Sequence, residues 1–123
     1  MLSFVTPIFH LYYREASSND ADGLNIGVTG EANAQVIVKG KVTLNSNGGD
    51  GMYSSLNPNT KLEIKVESGA TLNSCGNGQY DIGGNVQWTD ATLTFTGAGS
   101  YTCSSKNLYG DGAIVEPVCQ SCT

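Results

Sequence analysis

The feature that most constrains the fold is a repeated pattern of short apolar stretches separated by turns rich in glycine and asparagine. The landmark threonines Thr43, Thr71 and Thr92 lie 28 and 21 residues apart. Each is followed nine or ten residues later by a tyrosine, namely Tyr53, Tyr80 or Tyr101. One such unit cannot bury its apolar side chains alone, so we expect the units to stack on one another.

A period of about 20 to 30 residues is typical of a parallel β-solenoid. The repeat predicts two stacked columns of apolar side chains: Val36, Leu62 and Val86 in one, Leu44, Leu72 and Leu93 in the other. The three tyrosines would form a third ladder. The sequence thus predicts an all-β chain with a short parallel β-solenoid of about three to four coils over residues 17–117. An antiparallel β-sandwich is the alternative, because it also uses short alternating strands with closely spaced turns.

Composition agrees with an all-β chain and excludes some classes of function. The chain has 123 residues, of which 16 are Gly, 12 Ser, 11 Thr and 11 Asn, residue types that favour turns over helices. Six basic residues against eleven acidic ones give a net charge of −5. A chain without a basic patch has nothing to hold a phosphate backbone, so we expect no nucleic-acid partner.

Residues 1–16 form the most apolar part of the chain. They are too short, and interrupted by Pro7, to span a bilayer as a helix, so no membrane span is expected. Both alternating faces are apolar, which predicts a strand covered on both sides. It is either an internal strand or cover for the core, or a strand donated to a neighbouring subunit. Its candidate assembly residues are Leu2, Phe4, Val5, Ile8, Phe9, Leu11, Tyr12 and Tyr13.

The four cysteines are Cys75, Cys103, Cys119 and Cys122. An even number in a small acidic chain favours disulfides and an extracellular, oxidising setting. A zinc site would need a second Cys pair or a nearby His, and neither is present. In the repeat, Cys75 and Cys103 fall in adjacent coils, so we expect them to pair. Cys119 and Cys122, in the C-terminal tail of residues 118–123, would then pair together or outward.

Candidate ligand sites are few. Asp20 and Asp22 precede Gly23 as in a calcium loop, but an acidic turn explains them as well, and no cofactor is expected. The three threonines of residues 92–96 would lie on one face of a strand. A polar outer surface is the simpler interpretation of this row, and ice binding is the more specific one. Aromatic rings that could stack on sugars, or simply pack, are Tyr53, Tyr80, Trp88 and Tyr101.

The segments TLNSNGGDGMY (residues 43–53) and TLNSCGNGQY (residues 71–80) resemble coils of right-handed parallel β-helix proteins of the pectin-lyase-like group. That group includes secreted lyases, adhesins and surface proteins. The resemblance covers about residues 24–115 and implies a β-helical fold. The chain departs from the enzymes of the group because it has fewer coils and lacks clustered Asp, Arg and Lys along one face.

The sequence also lacks the residue patterns of common enzymes. No spacing frames a nucleophilic serine, and Glu63 and Glu67 alternate with lysines as on a solvated strand face. We therefore expect a non-enzymatic extracellular structural protein that assembles with itself into a fibre or surface layer. A glycan-binding or adhesive module is the alternative.

Overall fold

The structure is a computed structural model that describes residues 2–4, 8–12, 15–18, 24–28, 33–46, 51–76, 82–84, 90–102 and 112–115. Every regular element in these ranges is a β-strand. The strands are β1 (Leu2–Phe4), β2 (Ile8–Tyr12), β3 (Glu15–Ser18), β4 (Leu24–Val28), β5 (Asn33–Lys39), β6 (Lys41–Ser46), β7 (Met52–Leu56), β8 (Lys61–Val66), β9 (Thr71–Gly76), β10 (Ile82–Gly84), β11 (Thr92–Thr96), β12 (Ser100–Tyr101) and β13 (Ala113–Val115).

These strands form three sheets in which consecutive strands of the chain lie in different sheets. The first sheet has the order β1-β4-β7-β10, the second β2-β5-β8-β11-β13, and the third β3-β6-β9-β12. Each strand pairs with the strand three places further along the chain, except that β13 pairs with β11. Every described pairing is parallel. The all-β prediction is confirmed, and the antiparallel sandwich is wrong.

The strands arise from apolar residues at every second position. Strand β8 reads KLEIKV, and its three apolar side chains, Leu62, Ile64 and Val66, are each 1% exposed. The side chains between them are charged and partly or fully exposed. Because successive side chains of a strand point to opposite faces, this alternation gives one buried face and one solvated face.

Parallel pairing aligns the buried side chains of successive strands in columns. Leu62 pairs with Leu93, and Ile64 pairs with Phe95. In the third sheet Leu72 lies between Val42 and Tyr101. All of these side chains belong to one buried apolar cluster. The core therefore lies on the inner faces of strands whose partners are about thirty residues away in sequence.

The predicted columns are wrong in their register. Val36 pairs with Ile64 rather than Leu62, and Leu44 pairs with Ser74 rather than Leu72. Leu93 belongs to the second sheet and not to the sheet of Leu72, because the parallel offset from β8 to β11 matches it to Leu62. Val86 lies outside the described residues.

The tyrosine ladder also fails. Tyr53 is on β7 in the first sheet and Tyr101 is on β12 in the third, so the two cannot stack in one column. Tyr80 lies outside the described residues. The similar spacing from Thr43 to Tyr53 and from Thr92 to Tyr101 therefore did not reflect equivalent positions.

Tight corners connect the second sheet to the third. At the β11–β12 corner, Gly97 has φ 92° and Gly99 donates its backbone N–H to the carbonyl of Val66 at 2.9 Å. At the β8–β9 corner, Glu67 donates its N–H to the carbonyl of Val38 at 3.1 Å. Each corner thus hydrogen-bonds to the chain one repeat earlier, which aligns the sheets on both sides of it.

Residues 1–16 form three short strands instead of one. Strand β1 pairs with β4, β2 with β5, and β3, which begins within this segment, with β6. The N-terminal segment therefore joins all three sheets of its own chain. Val5 and Tyr13, two of the assembly candidates, lie outside the described residues.

Candidate functional site

The two ends of the three sheets are the candidate functional surfaces. Among the described strands, β1, β2 and β3 are terminal at one end, and β10, β13 and β12 at the other. A terminal strand presents one row of backbone N–H and C=O groups on the side away from its partner. Such rows can pair with a strand of another chain, which makes these ends candidate interfaces.

At the N-terminal end, the candidate assembly residues occupy known register positions. Leu2 pairs with Leu24 and Phe4 with Ile26 in the first sheet. In the second sheet, Ile8, Phe9, Leu11 and Tyr12 pair with Gln35, Val36, Val38 and Lys39 respectively. These strands are thus partnered within the chain on one edge.

The opposite end carries an exposed apolar residue that the sequence analysis missed. Val115, on β13, is 50% exposed and pairs with Thr94 of β11. Ala113, two residues earlier on the same face, is also exposed. A short apolar stretch after Gly112 indicates this strand in the sequence, but no segment of the predicted repeat was equivalent to it.

Polar side chains on the outer face of the second sheet interact with one another. Gln35 donates its side-chain amide to a carboxylate oxygen of Glu63, its register partner. Lys39 Nζ lies 4.0 Å from Glu67 Oε1, with both side chains more than a third exposed. Along β11 this face continues as Thr92, Thr94 and Thr96. The alternating charges predicted to form a solvated face do lie on one.

The described aromatic rings differ in their access to a ligand. Tyr53 is half-buried on β7. Tyr101 is 3% exposed, and its ring stacks on Phe95 with centroids 4.3 Å apart and planes at 9°. A ring covered to this extent offers no face to a sugar, so Tyr101 acts in packing. Trp88 and Tyr80 lie outside the described residues.

Cys75, at the end of β9, is disulfide-bonded. The three other cysteines, Cys103, Cys119 and Cys122, lie outside the described residues. The predicted disulfide at Cys75 is therefore present, and its pairing with Cys103 stays a prediction.

Metal and membrane sites can be judged only for the part of the chain that is described. In those ranges no three His, Cys, Asp or Glu side chains lie together as metal ligands would. Asp20 and Asp22, the calcium candidates, fall outside them. The same ranges contain no helix of the length and apolar character needed to cross a membrane.

The edge of β9 ends at a side-chain clasp. Thr102 Oγ1 accepts a hydrogen bond from the backbone N–H of Ser74 at 3.1 Å and donates one to the Ser74 carbonyl at 2.9 Å. Both residues are almost fully buried. The hydroxyl thus satisfies two backbone groups at the point where the β9–β12 pairing stops. This clasp was not foreseen, because one threonine among eleven carries no distinguishing local pattern.

Comparison of the chain with protein-family models, curated proteins and solved structures finds no match.

Proposed function

We propose that the chain is a non-enzymatic extracellular structural protein, a subunit that joins copies of itself into a fibre or surface layer. The observation that carries the proposal is the parallel pairing of each sheet, which ends in a terminal strand at both ends of the described molecule. The outward row of backbone groups along such a strand can hydrogen-bond to a strand of another chain. A second copy of the same chain, which carries both kinds of end, is the simplest partner.

The architecture behind this proposal is a short β-solenoid. Each group of three consecutive strands would form one coil, so that β1–β3, β4–β6, β7–β9 and β10–β12 make four coils and β13 begins another. The recurrence of three sheets in a fixed order supports it. Sequence resemblance to the pectin-lyase-like β-helices points to the same architecture. In a solenoid this short, the end surfaces are a large part of the whole, so they must be capped or joined.

End-to-end stacking is the mode of joining that the pairing favours. Strands β1 and β2 are already bonded to β4 and β5 of their own chain. Donating them to a neighbour would first break those pairings, whereas stacking of ends adds a new pairing without breaking an old one. Val115, exposed on the outer face of the terminal strand β13, adds apolar area beside the edge that would receive the next subunit.

The extracellular location rests on the disulfide at Cys75. Disulfides persist in oxidising compartments and are rare where glutathione keeps thiols reduced. Small folds with a limited core also gain most from such a bond.

Negative-stain electron microscopy of the full-length chain, with sedimentation over a range of concentrations, tests the proposal. We expect filaments or a growing assembly with the native chain and dispersed particles with Val115→Lys, since a lysine on an edge strand opposes pairing. Thr94→Lys is the matched control. It adds the same charge at the register partner of Val115, but on β11, which is an inner strand of the sheet. Dispersed native particles at every concentration would overturn the proposal.

Strand donation makes a different prediction in the same experiment. If β1 and β2 were exchanged between chains, removal of residues 1–16 would abolish assembly while Val115→Lys would leave it intact. That result would retain self-assembly and reject end stacking.

A glycan-binding or adhesive module is the second candidate, with Tyr53 as its remaining described aromatic residue, half-buried on β7. A glycan array tests it with the native chain and Tyr53→Ala. Binding that disappears in the variant would favour adhesion as the function.

A further inference from the structure

We infer that the disulfide partner of Cys75 is Cys103, and that this bond covalently closes the edge between β9 and the chain leaving β12. The inference rests on the clasp between Thr102 and Ser74, whose two residues immediately precede the two cysteines in sequence. It is independent of the repeat spacing, which assigned the wrong register to this part of the chain.

Thr102 is bound to β9 through both its backbone and its side chain. Its backbone N–H donates to the carbonyl of Leu72 at 3.1 Å, and its hydroxyl bonds both backbone groups of Ser74. Thr102 is therefore held against the Leu72–Ser74 part of β9 by three hydrogen bonds, two of them through a short side chain.

Cys75 follows Ser74 and Cys103 follows Thr102, and consecutive Cα atoms are about 3.8 Å apart. Adjacent strands of a sheet lie about 4.8 Å apart. A disulfide joins Cα atoms separated by about 4.4–6.8 Å. Each cysteine is thus one Cα–Cα step beyond a residue of the clasp, so a disulfide between them requires no change in the described parts of the chain.

Cys119 and Cys122 are separated from Thr102 by at least sixteen residues of sequence, and strand β13 intervenes on the second sheet. Either could reach Cys75 only if the chain returned to the end of β9. Cys103 needs no such return. If Cys103 pairs with Cys75, Cys119 and Cys122 are left to form a disulfide with each other.

Peptide mapping without reduction distinguishes the pairings directly. Free thiols are first blocked at low pH, and the protein is then digested with trypsin. Cleavage after Lys65 and Lys106 gives one peptide of residues 66–106, which holds Cys75 and Cys103, and one of residues 107–123, which holds the other two cysteines. We expect two separate peptides, with residues 66–106 lighter by two hydrogen atoms than its reduced form. A single product containing both peptides, or an unoxidised 66–106 peptide, would overturn the inference.

Cysteine variants give a second, independent result. Cys75→Ser, Cys103→Ser and the double variant should lower the unfolding temperature by the same amount, because each removes the same bond. Cys119→Ser should not reproduce that loss. A double variant clearly less stable than either single one would show that the two residues act separately. Neither experiment depends on self-assembly, so the pairing and the proposed function can fail independently.

Discussion

The hydroxyl of Thr102 bonds both the N–H and the C=O of Ser74, at 3.1 and 2.9 Å. A side chain here takes the place of a neighbouring strand, because the regular pairing between β9 and β12 reaches only Leu72 and Tyr101. A buried backbone group without a hydrogen-bond partner destabilises the folded state. The clasp therefore ends the sheet without leaving β9 unsatisfied in the interior.

Thr102→Val should lower the free energy of unfolding by about 1–3 kcal/mol, because the valine has nearly the same shape but bonds neither group of Ser74. Thr102→Ser keeps the hydroxyl and loses one methyl group, at a cost of about 0.8 kcal/mol. Urea denaturation of the three proteins measures the difference. A serine variant as unstable as the valine variant would show that packing, rather than the hydrogen bonds, matters at this position.

Gly97→Ala should destabilise the protein more than Gly69→Ala, by about 1–3 kcal/mol. Both glycines have positive φ, 92° and 79°, so alanine pays a similar backbone cost at each. A Cβ at Gly97 would also overlap the carbonyl of Val66, whereas at Gly69 it would meet no atom within 4 Å. Thermal unfolding of the two variants separates the steric overlap at Gly97 from the backbone strain that both positions share. Equal losses of stability would contradict the close packing of the β11–β12 corner.

Phe95→Ala should cost about 3–5 kcal/mol, because Phe95 is 2% exposed and stacks on Tyr101 within the core. Its neighbour Thr94 lies on the outer face of the same strand, so Thr94→Ala should change stability by no more than about 0.5 kcal/mol. Chemical denaturation of both variants checks the inward and outward assignment. Similar losses of stability from the two substitutions would contradict the assignment of Phe95 to the inner face and Thr94 to the outer face.

Glu67→Gln should change stability by less than about 1 kcal/mol, although Glu67 faces Lys39 across the sheet. The atoms are 4.0 Å apart and both side chains are over a third exposed, so water and salt screen their attraction. Urea denaturation at low and at high salt measures the effect. A larger loss that vanished at high salt would show that the pair is stronger than its exposure implies.

Much of the fold class could be predicted from the sequence. Alternation of apolar and polar residues in Lys61–Val66 and Thr92–Thr96 indicated strands with one buried face, and the structure places their side chains accordingly. Alternation with a period of two is a local signal, so it can be recognised in these segments without knowing which strands they pair with. A disulfide at Cys75 also followed from composition alone.

For strands such as β8 and β11, the sequence by itself determined which side chains turn inward; only the tertiary structure decided which strand pairs with which. The tripeptide Ala-Thr-Leu occurs at residues 70–72 and again at 91–93. In both places the alanine and the leucine are buried and the threonine is partly exposed, as the local pattern predicts. The first copy nevertheless lies in the third sheet and the second copy in the second sheet. Identical local sequences thus specify the same alternation of buried and exposed side chains. Strand pairing depends in addition on the lengths of the corners and on residues about thirty positions away, and a local pattern contains neither.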